Sequence, residues 1–195
     1  MAFETVKKNL ESRGFVVRVF DTGAEAADYL DGAIDGVSVG LGGSLTVQAM
    51  GLHEKLASHN TVHWHWTDGP EARVKSAGAD VYITSANGLA ETGEVINIDG
   101  IGNRVASTLY GHEKVYLVAG RNKIAPTYDE ALFRARNTAA PKNAQRKQMK
   151  TPCVQGDHCY DCKSPDRICR ALTVLWGPMI GMETEVVLID RDLGY

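Results

Sequence analysis

Short apolar runs alternate with stretches of helical periodicity along most of this chain, and that alternation narrows the fold more than any single motif. Phe3, Val6 and Leu10 recur at helical spacing in a segment that stops at Gly14, and the run "FVVRVF" reads as the first strand. The rhythm then repeats as helix "GAEAADYLDGAI", strand "GVSVGLGG", a helix from Ser44, strand "NTVHWHW" and helix "EARVKSAG". Strands "ADVYITS" and "EVINID", helix "RVASTLY", strand "KVYLVAG" and helix "YDEALFRARNTAA" continue it. Strands joined through helices predict an α/β fold with an open, largely parallel sheet flanked by helices. Residues 151–170 interrupt the pattern, and "ALTVLWG" and "EVVLIDRDLGY" beyond them read as strands returning to the sheet. That segment is therefore expected to be an insertion within one α/β domain spanning 1–195.

With 195 residues, 44% of them hydrophobic, the chain can bury one sizeable core. A net charge of -3 and the lack of a long Lys or Arg run give no footprint for nucleic acid, which leaves small molecules or proteins as partners. No segment approaches the ~18 apolar residues of a membrane span, and the N-terminus lacks the apolar run of a signal peptide. The expectation is a soluble, cytoplasmic protein, with a homo-oligomer compatible with the sequence.

Gly-rich turns carry the first chemical signals. In "VGLGGSLTVQAMGL" a strand runs into Gly42 and Gly43, and Ser44 can cap the following helix. Glycines there let a backbone approach a phosphate or carboxylate closely, although a tight strand-to-helix turn explains the same residues. The lysine of a P-loop is missing, so nucleotide hydrolysis is not indicated. In "TSANGLAETGEVINIDGIGNRVAS", Glu91, Glu94, Asp99, Asn103 and Arg104 crowd around glycine turns between strand-like stretches. Glu91 or Asp99 could act as a general base, Gly100 and Gly102 could let the chain fold around a ligand, and Arg104 could hold a carboxylate or phosphate. Arg104→Ala is accordingly expected to weaken ligand binding by about 1.5–3 kcal/mol with folding nearly intact. The alternative is plainer: "AETGEV" as a hairpin turn and "DGIGN" as a capped loop.

Three further stretches have weaker readings. Arg121 and Lys123 in "GRNKIAP" follow a strand and could form a cationic wall of the same pocket, or a solvated turn. His63 and His65 alternate with Trp64 and Trp66, a spacing that suits a metal but shows no third ligand, or a strand with tryptophans inward. "PKNAQRKQMK" reads as a solvated basic helix.

The chain's four cysteines all fall within residues 151–170, with spacing C-x5-C-x2-C-x6-C. Cys153, Cys159, Cys162 and Cys169 are expected to form one metal site, an iron-sulfur cluster first and tetrahedral zinc second, because intracellular thiols stay reduced and thiolates select soft cations. The spacing matches neither a paired zinc ribbon nor the ferredoxin runs, and two disulfides are the competing reading. A metal would also replace the hydrophobic core that this segment lacks.

Together "VGLGGSLTV", "LAETGEVINIDGIGNRVAS", "VAGRNKIAPTYDEALFRARNTAAPKNAQR" and "TPCVQGDHCYDCKSPDRICR" resemble the LUD, or lactate-utilisation, domain family in its short cysteine-bearing form. The resemblance runs from about Ser38 to the closing "DLGY". It implies the open α/β sheet of the ribose-5-phosphate isomerases, glucosamine-6-phosphate deaminases and coenzyme A transferases. "GLGGS" is similar to the phosphate loop "GLGTGS" of the isomerases, and "IDG" at Ile98–Gly100 to their acidic strand-end motif, but "IGNR" after it departs from that pattern. "SANG" at Ser85–Gly88 is similar to the transferases' "SENG", with Ala86 where their nucleophilic glutamate stands, and alanine cannot form an acyl intermediate. The implied role is utilisation or oxidation of lactate or a related 2-hydroxy or 2-oxo acid, beside iron-sulfur redox partner proteins. On this reading the glycine loops bind a small anionic metabolite and the cysteines hold the metal. The rival from another class is a non-catalytic ligand-binding or assembly module with structural zinc.

Overall fold

The computed structural model of the protein describes residues 3–195. The chain begins with α1 (Glu4–Ser12), β1 (Val16–Phe20), α2 (Gly23–Ala33), β2 (Ser38–Leu41), α3 (Leu45–Ala49), α4 (Leu52–Leu56) and β3 (Thr61–Trp64). It continues with α5 (Ala72–Ala77), β4 (Val81–Ser85), β5 (Gly88–Ala90), β6 (Val95–Asp99), α6 (Asn103–Leu109), β7 (Lys114–Gly120) and β8 (Ile124–Ala125). It closes with α7 (Tyr128–Arg134), α8 (Ala140–Arg146), α9 (Pro152–Gln155), β9 (Ala171–Leu175) and β10 (Glu183–Ile189).

Six strands form a parallel sheet in the order β1-β10-β7-β4-β2-β3. Its central strands carry apolar runs, such as residues 115–119 and 186–189, because both faces are covered. Tyr116 and Val118 of β7, with Val187 and Ile189 of β10, face α2, α3 and α4 through Leu30, Val47 and Leu56. The alternate residues Val115, Leu117, Val186 and Leu188 face α1 and three residues of a second sheet, Leu89, Val95 and Leu175. That second sheet has the order β8-β5-β6-β9, and its outer face packs on α7 through Ala90, Ile96, Ala131 and Ala135.

The alternation in the sequence thus yields the expected parallel sheet, with one correction. β9 does not return to it but pairs antiparallel with β6, because the Arg170 N–H donates to the Asp99 carbonyl at 2.8 Å and the ladder runs on from that bond. "AETGEV" is indeed the turn of a hairpin, joining β5 to β6. The helix expected from Ser44 is two short ones, broken at Gly51, whose φ of 62° favours glycine. Between α7 and α8 the helix widens over Ala135–Ala139, since Pro141 has no N–H to return to the preceding turn. Thr22 with Glu25 and Thr127 with Glu130 form capping boxes that fix the starts of α2 and α7. Among the described residues no helix is long and apolar enough to cross a membrane.

Candidate functional site

In a parallel sheet all strands end at one edge, and ligands collect outside it. The loops that follow β2, β3, β4, β7 and β10 meet there, and the turn after β6, the end of α8 and residues 165–170 close the sides. They enclose a cavity of about 460 Å³.

The structure brings most of the expected residues to this cavity. Gly43, Ser44, Asp99, Gly100, Asn103, Arg104 and Lys123 line it. Gly42 does not, although it is glycine for a packing reason: a Cβ there would sit 2.7 Å from Thr84 Oγ1. Gly102 turns the chain into α6 with φ 94°, and its position is open. Glu91 stands in the β5–β6 turn away from the cavity, where its carbonyl accepts from Asn9. Arg121 also lies outside, paired with Asp190 and Asp192 on the surface.

Two central residues have duties within the fold. Asp99 Oδ1 accepts from the Gly100 and Ile101 N–H groups of the loop before α6, and Oδ2 from those of Arg104 and Val105 in its first turn, so one oxygen ties the loop and the other the start of the helix. Arg104 is inward. Its Nη1 donates to Asn97 Oδ1 at 2.5 Å and to the Ser85 carbonyl at 3.3 Å, and its Nη2 to Asn87 Oδ1 at 3.0 Å and to the Ile98 carbonyl at 2.5 Å. Its Nε lies 3.8 Å from Asp99 Oδ2. With both Nη groups bonded inside the fold, Arg104 shapes the wall that ties β4 to β6, so its loss is expected to disturb folding as well as any ligand binding.

Lys123 is buried, and its Nζ donates to Ser85 Oγ and the Ala86 carbonyl, each at 3.0 Å. Burial, with Arg134 and Arg104 adding like charge, pushes its ammonium down to about 7. Ser44 caps α3 as expected, accepting from the Val47 N–H at 3.2 Å.

Several lining residues are ones to which the sequence alone gives another role. His65 and Trp66 follow β3, and Gly43 is small where a Cβ would lie 3.3 Å from both rings. Burial, then Arg73 and Lys147, lower the His65 imidazole from its ordinary value. "PKNAQRKQMK" is not a wholly solvated helix: Asn143, Arg146, Lys147 and Met149 line the cavity, and the Arg146 guanidinium lies 5.4 Å over the Trp66 ring. The walls carry the cations Arg73, Arg104, Lys123, Arg146, Lys147, Arg167 and Arg170, against the side-chain carboxylates Asp99 and Asp166 alone. Arg73 Nε and His65 Nδ1 are buried with no hydrogen-bond partner among the described residues.

The four cysteines are free thiols gathered on one depression of about 20 Å³, with Arg136 and Arg167 beside them. Cys159 Sγ accepts from the Asp161 N–H at 3.4 Å, and Arg167 holds the Cys162 and Cys169 carbonyls at 2.9 and 2.8 Å. As they stand, no three His, Cys, Asp or Glu among the described residues are arranged to hold a metal ion. The donor chemistry suits a soft cation, the arrangement does not yet ligate one. Arg167, Ile168 and Cys169 belong to both the depression and the large cavity, so the two share a wall. Gly100 permits that contact, since a Cβ there would meet the Ile168 carbonyl at 2.5 Å.

Similarity to known proteins agrees with this architecture. A crystal structure at 1.70 Å of a DUF162 family protein from Deinococcus radiodurans matches with TM-score 0.59 and 15% identity, over 97% of this chain and 99% of that one. Ribose 5 phosphate isomerase A from Neisseria gonorrhoeae matches with TM-score 0.36 and 13% identity, over 53% of each chain. No curated protein matches the chain. The family model of the LUD domain matches residues 3–189, nearly the whole length, and the chain belongs to the LUD domain family.

Proposed function

We propose that the cavity binds a small organic-acid anion of the 2-hydroxy or 2-oxo acid class, in a protein serving lactate utilisation. Membership of the LUD family supports the lactate-related role at the level of the family. The observation that carries the anion is the charge imbalance of the walls, with Arg73 Nε and His65 Nδ1 left without partners among the described residues. A carboxylate in the cavity supplies an acceptor to the Arg73 guanidinium and relieves the cationic crowding.

Proton linkage tests this reading. A bound anion favours the charged form of Lys123, which sits near 7 when the cavity is free, so binding takes up protons. Lactate affinity is expected to strengthen as pH falls through 7, by up to about tenfold for each unit by which the anion raises that lysine. Calorimetry in buffers of different ionisation enthalpy reads the proton uptake directly. Affinity that is flat or rises above neutrality contradicts the assignment, and a preference for inorganic phosphate over lactate would move the ligand to a phosphate-bearing metabolite.

The cysteine depression is proposed as the metal centre, an iron-sulfur cluster before zinc. Its support is four unpaired thiols on one surface, with cations that balance thiolate charge. Closing them on an ion requires movement within residues 151–170. Protein purified anaerobically is expected to carry iron or zinc. Less than roughly a tenth of an equivalent of either, together with no loss of structure on chelation, rejects the centre, given the tight binding of thiolate sites.

A second reading, ligand binding without turnover and with structural zinc, is favoured by one observation. Asp99 is spent on backbone N–H groups, Glu91 is remote and Ala86 has no nucleophile, which leaves Asp166 as the one side-chain carboxylate of the wall not committed to backbone N–H groups. Oxidation of lactate coupled to an electron-accepting dye separates the two readings.

A further inference from the structure

We propose that Lys123 is the nucleophile of this cavity and condenses with the carbonyl of a 2-oxo acid to form an imine. The inference deepens the anion reading above and rests on it: it selects 2-oxo acids over 2-hydroxy acids, because an alcohol carbon offers no electrophile.

The geometry comes first. Lys123 is 4% exposed, yet it lines the cavity, and among the described residues no carboxylate pairs with it. A neutral amine has two N–H groups and one lone pair. Both N–H groups have acceptors, Ser85 Oγ and the Ala86 carbonyl, and the lone pair is left for the cavity. An ammonium would bring a third N–H and a charge into a wall already crowded by Arg134 and Arg104. The site therefore favours the form of lysine that attacks carbonyls. With the cavity free, about half of Lys123 is neutral near pH 7, against roughly one in a few thousand for an ordinary exposed lysine, and a bound acid reduces that share without removing it.

The step balances without an outside reagent. The Nζ lone pair forms a bond to C2 of the acid, the carbonyl π pair moves to oxygen, and a proton passes from nitrogen to that oxygen. Ser85 Oγ, 3.0 Å from Nζ, is placed to carry it. The carbinolamine then breaks its C–O bond and releases water, leaving C=N, with no change in oxidation state. The substrate carboxylate meanwhile meets the cations that Lys123 does not supply, Arg73 among them.

The test uses pyruvate, the full chain and cyanoborohydride near pH 7, read by intact mass and peptide mapping. The expected result is one adduct on Lys123, heavier than the free chain by pyruvic acid less one oxygen. Lys123 should exceed any other lysine by roughly tenfold or more in labelling, as its neutral fraction requires. Lactate should give no adduct, and Lys123→Met and Lys123→Arg should abolish it. Because the wild-type peptide map locates the label, the result stands even where a variant folds poorly. No adduct at Lys123, or adducts spread evenly over surface lysines, overturns the inference. If calorimetry still shows pyruvate binding, only the imine falls. If binding is absent too, the cavity assignment falls with it.

Discussion

Arg104→Ala is expected to cost about 3–5 kcal/mol of folding stability, the scale for removing one member of a buried charged network. The substitution takes a donor from the Asn97 side-chain oxygen and from the Ser85 and Ile98 carbonyls, while Asn87 Oδ1 keeps the Ile98 N–H at 2.8 Å. Each buried acceptor without a donor carries a desolvation penalty of about 1–3 kcal/mol, partly relieved where the cavity admits water. Against a total of roughly 5–15 kcal/mol for a domain, that loss brings the protein close to unfolding. Urea denaturation should show a lower midpoint with an unchanged slope. Arg104→Lys should recover little, since one ammonium cannot reach acceptors spread around a planar fork. A loss under about 1 kcal/mol would mean the network is not as bonded as described.

Arg73→Ala should behave in the opposite way. This arginine lines the same cavity, but the protein bond given to its guanidinium is a long one, Nη1 to the Pro70 carbonyl at 3.4 Å, and its Nε has no partner among the described residues. Its removal should leave stability within about 1 kcal/mol, as is usual away from core, cap and network positions. Lactate or pyruvate affinity should fall by about 1.5–3 kcal/mol, or roughly ten- to a hundredfold, the worth of a charge-assisted hydrogen bond. Unchanged affinity on calorimetry would remove Arg73 from the site. Measured together, the two substitutions distinguish an arginine that builds the wall from one that receives the ligand.

That distinction marks where the sequence stops being informative. Alternating apolar runs and helical stretches specify the parallel sheet because both faces of β7 and β10 are buried, so residues 115–119 and 186–189 read as apolar runs within them. β5 and β8 have three and two residues, too few to show a period, and with them the second sheet disappears from view. The glycine turns after β2 and β6 converge as expected because strand ends in such a sheet share an edge. Which way a cation points is another matter. Arg104 looked like a ligand clamp because it sits among glycines, yet its donors are taken by partners such as Asn87 and Asn97, whose proximity only the folded chain creates. Arg146 and Lys147 looked solvated because a basic helix has the same composition whether it faces water or a cavity. His65 and Trp66 were noticed for their spacing, and they reach the cavity because β3 ends at Trp64 and the chain turns there.

The position of β10 has a consequence for how the chain reaches this state. β1 has no other neighbour in its sheet, and it meets β10 with Val16 opposite Glu185, so one of the first strands made waits for one of the last. Pairings of such long sequence separation close slowly, since the loop entropy is lost before the contacts form. During synthesis β7 likewise presents an open apolar edge until β10 inserts between it and β1. Until β10 is made, the nascent chain therefore keeps two unpaired strand edges, the kind of edge that invites self-association.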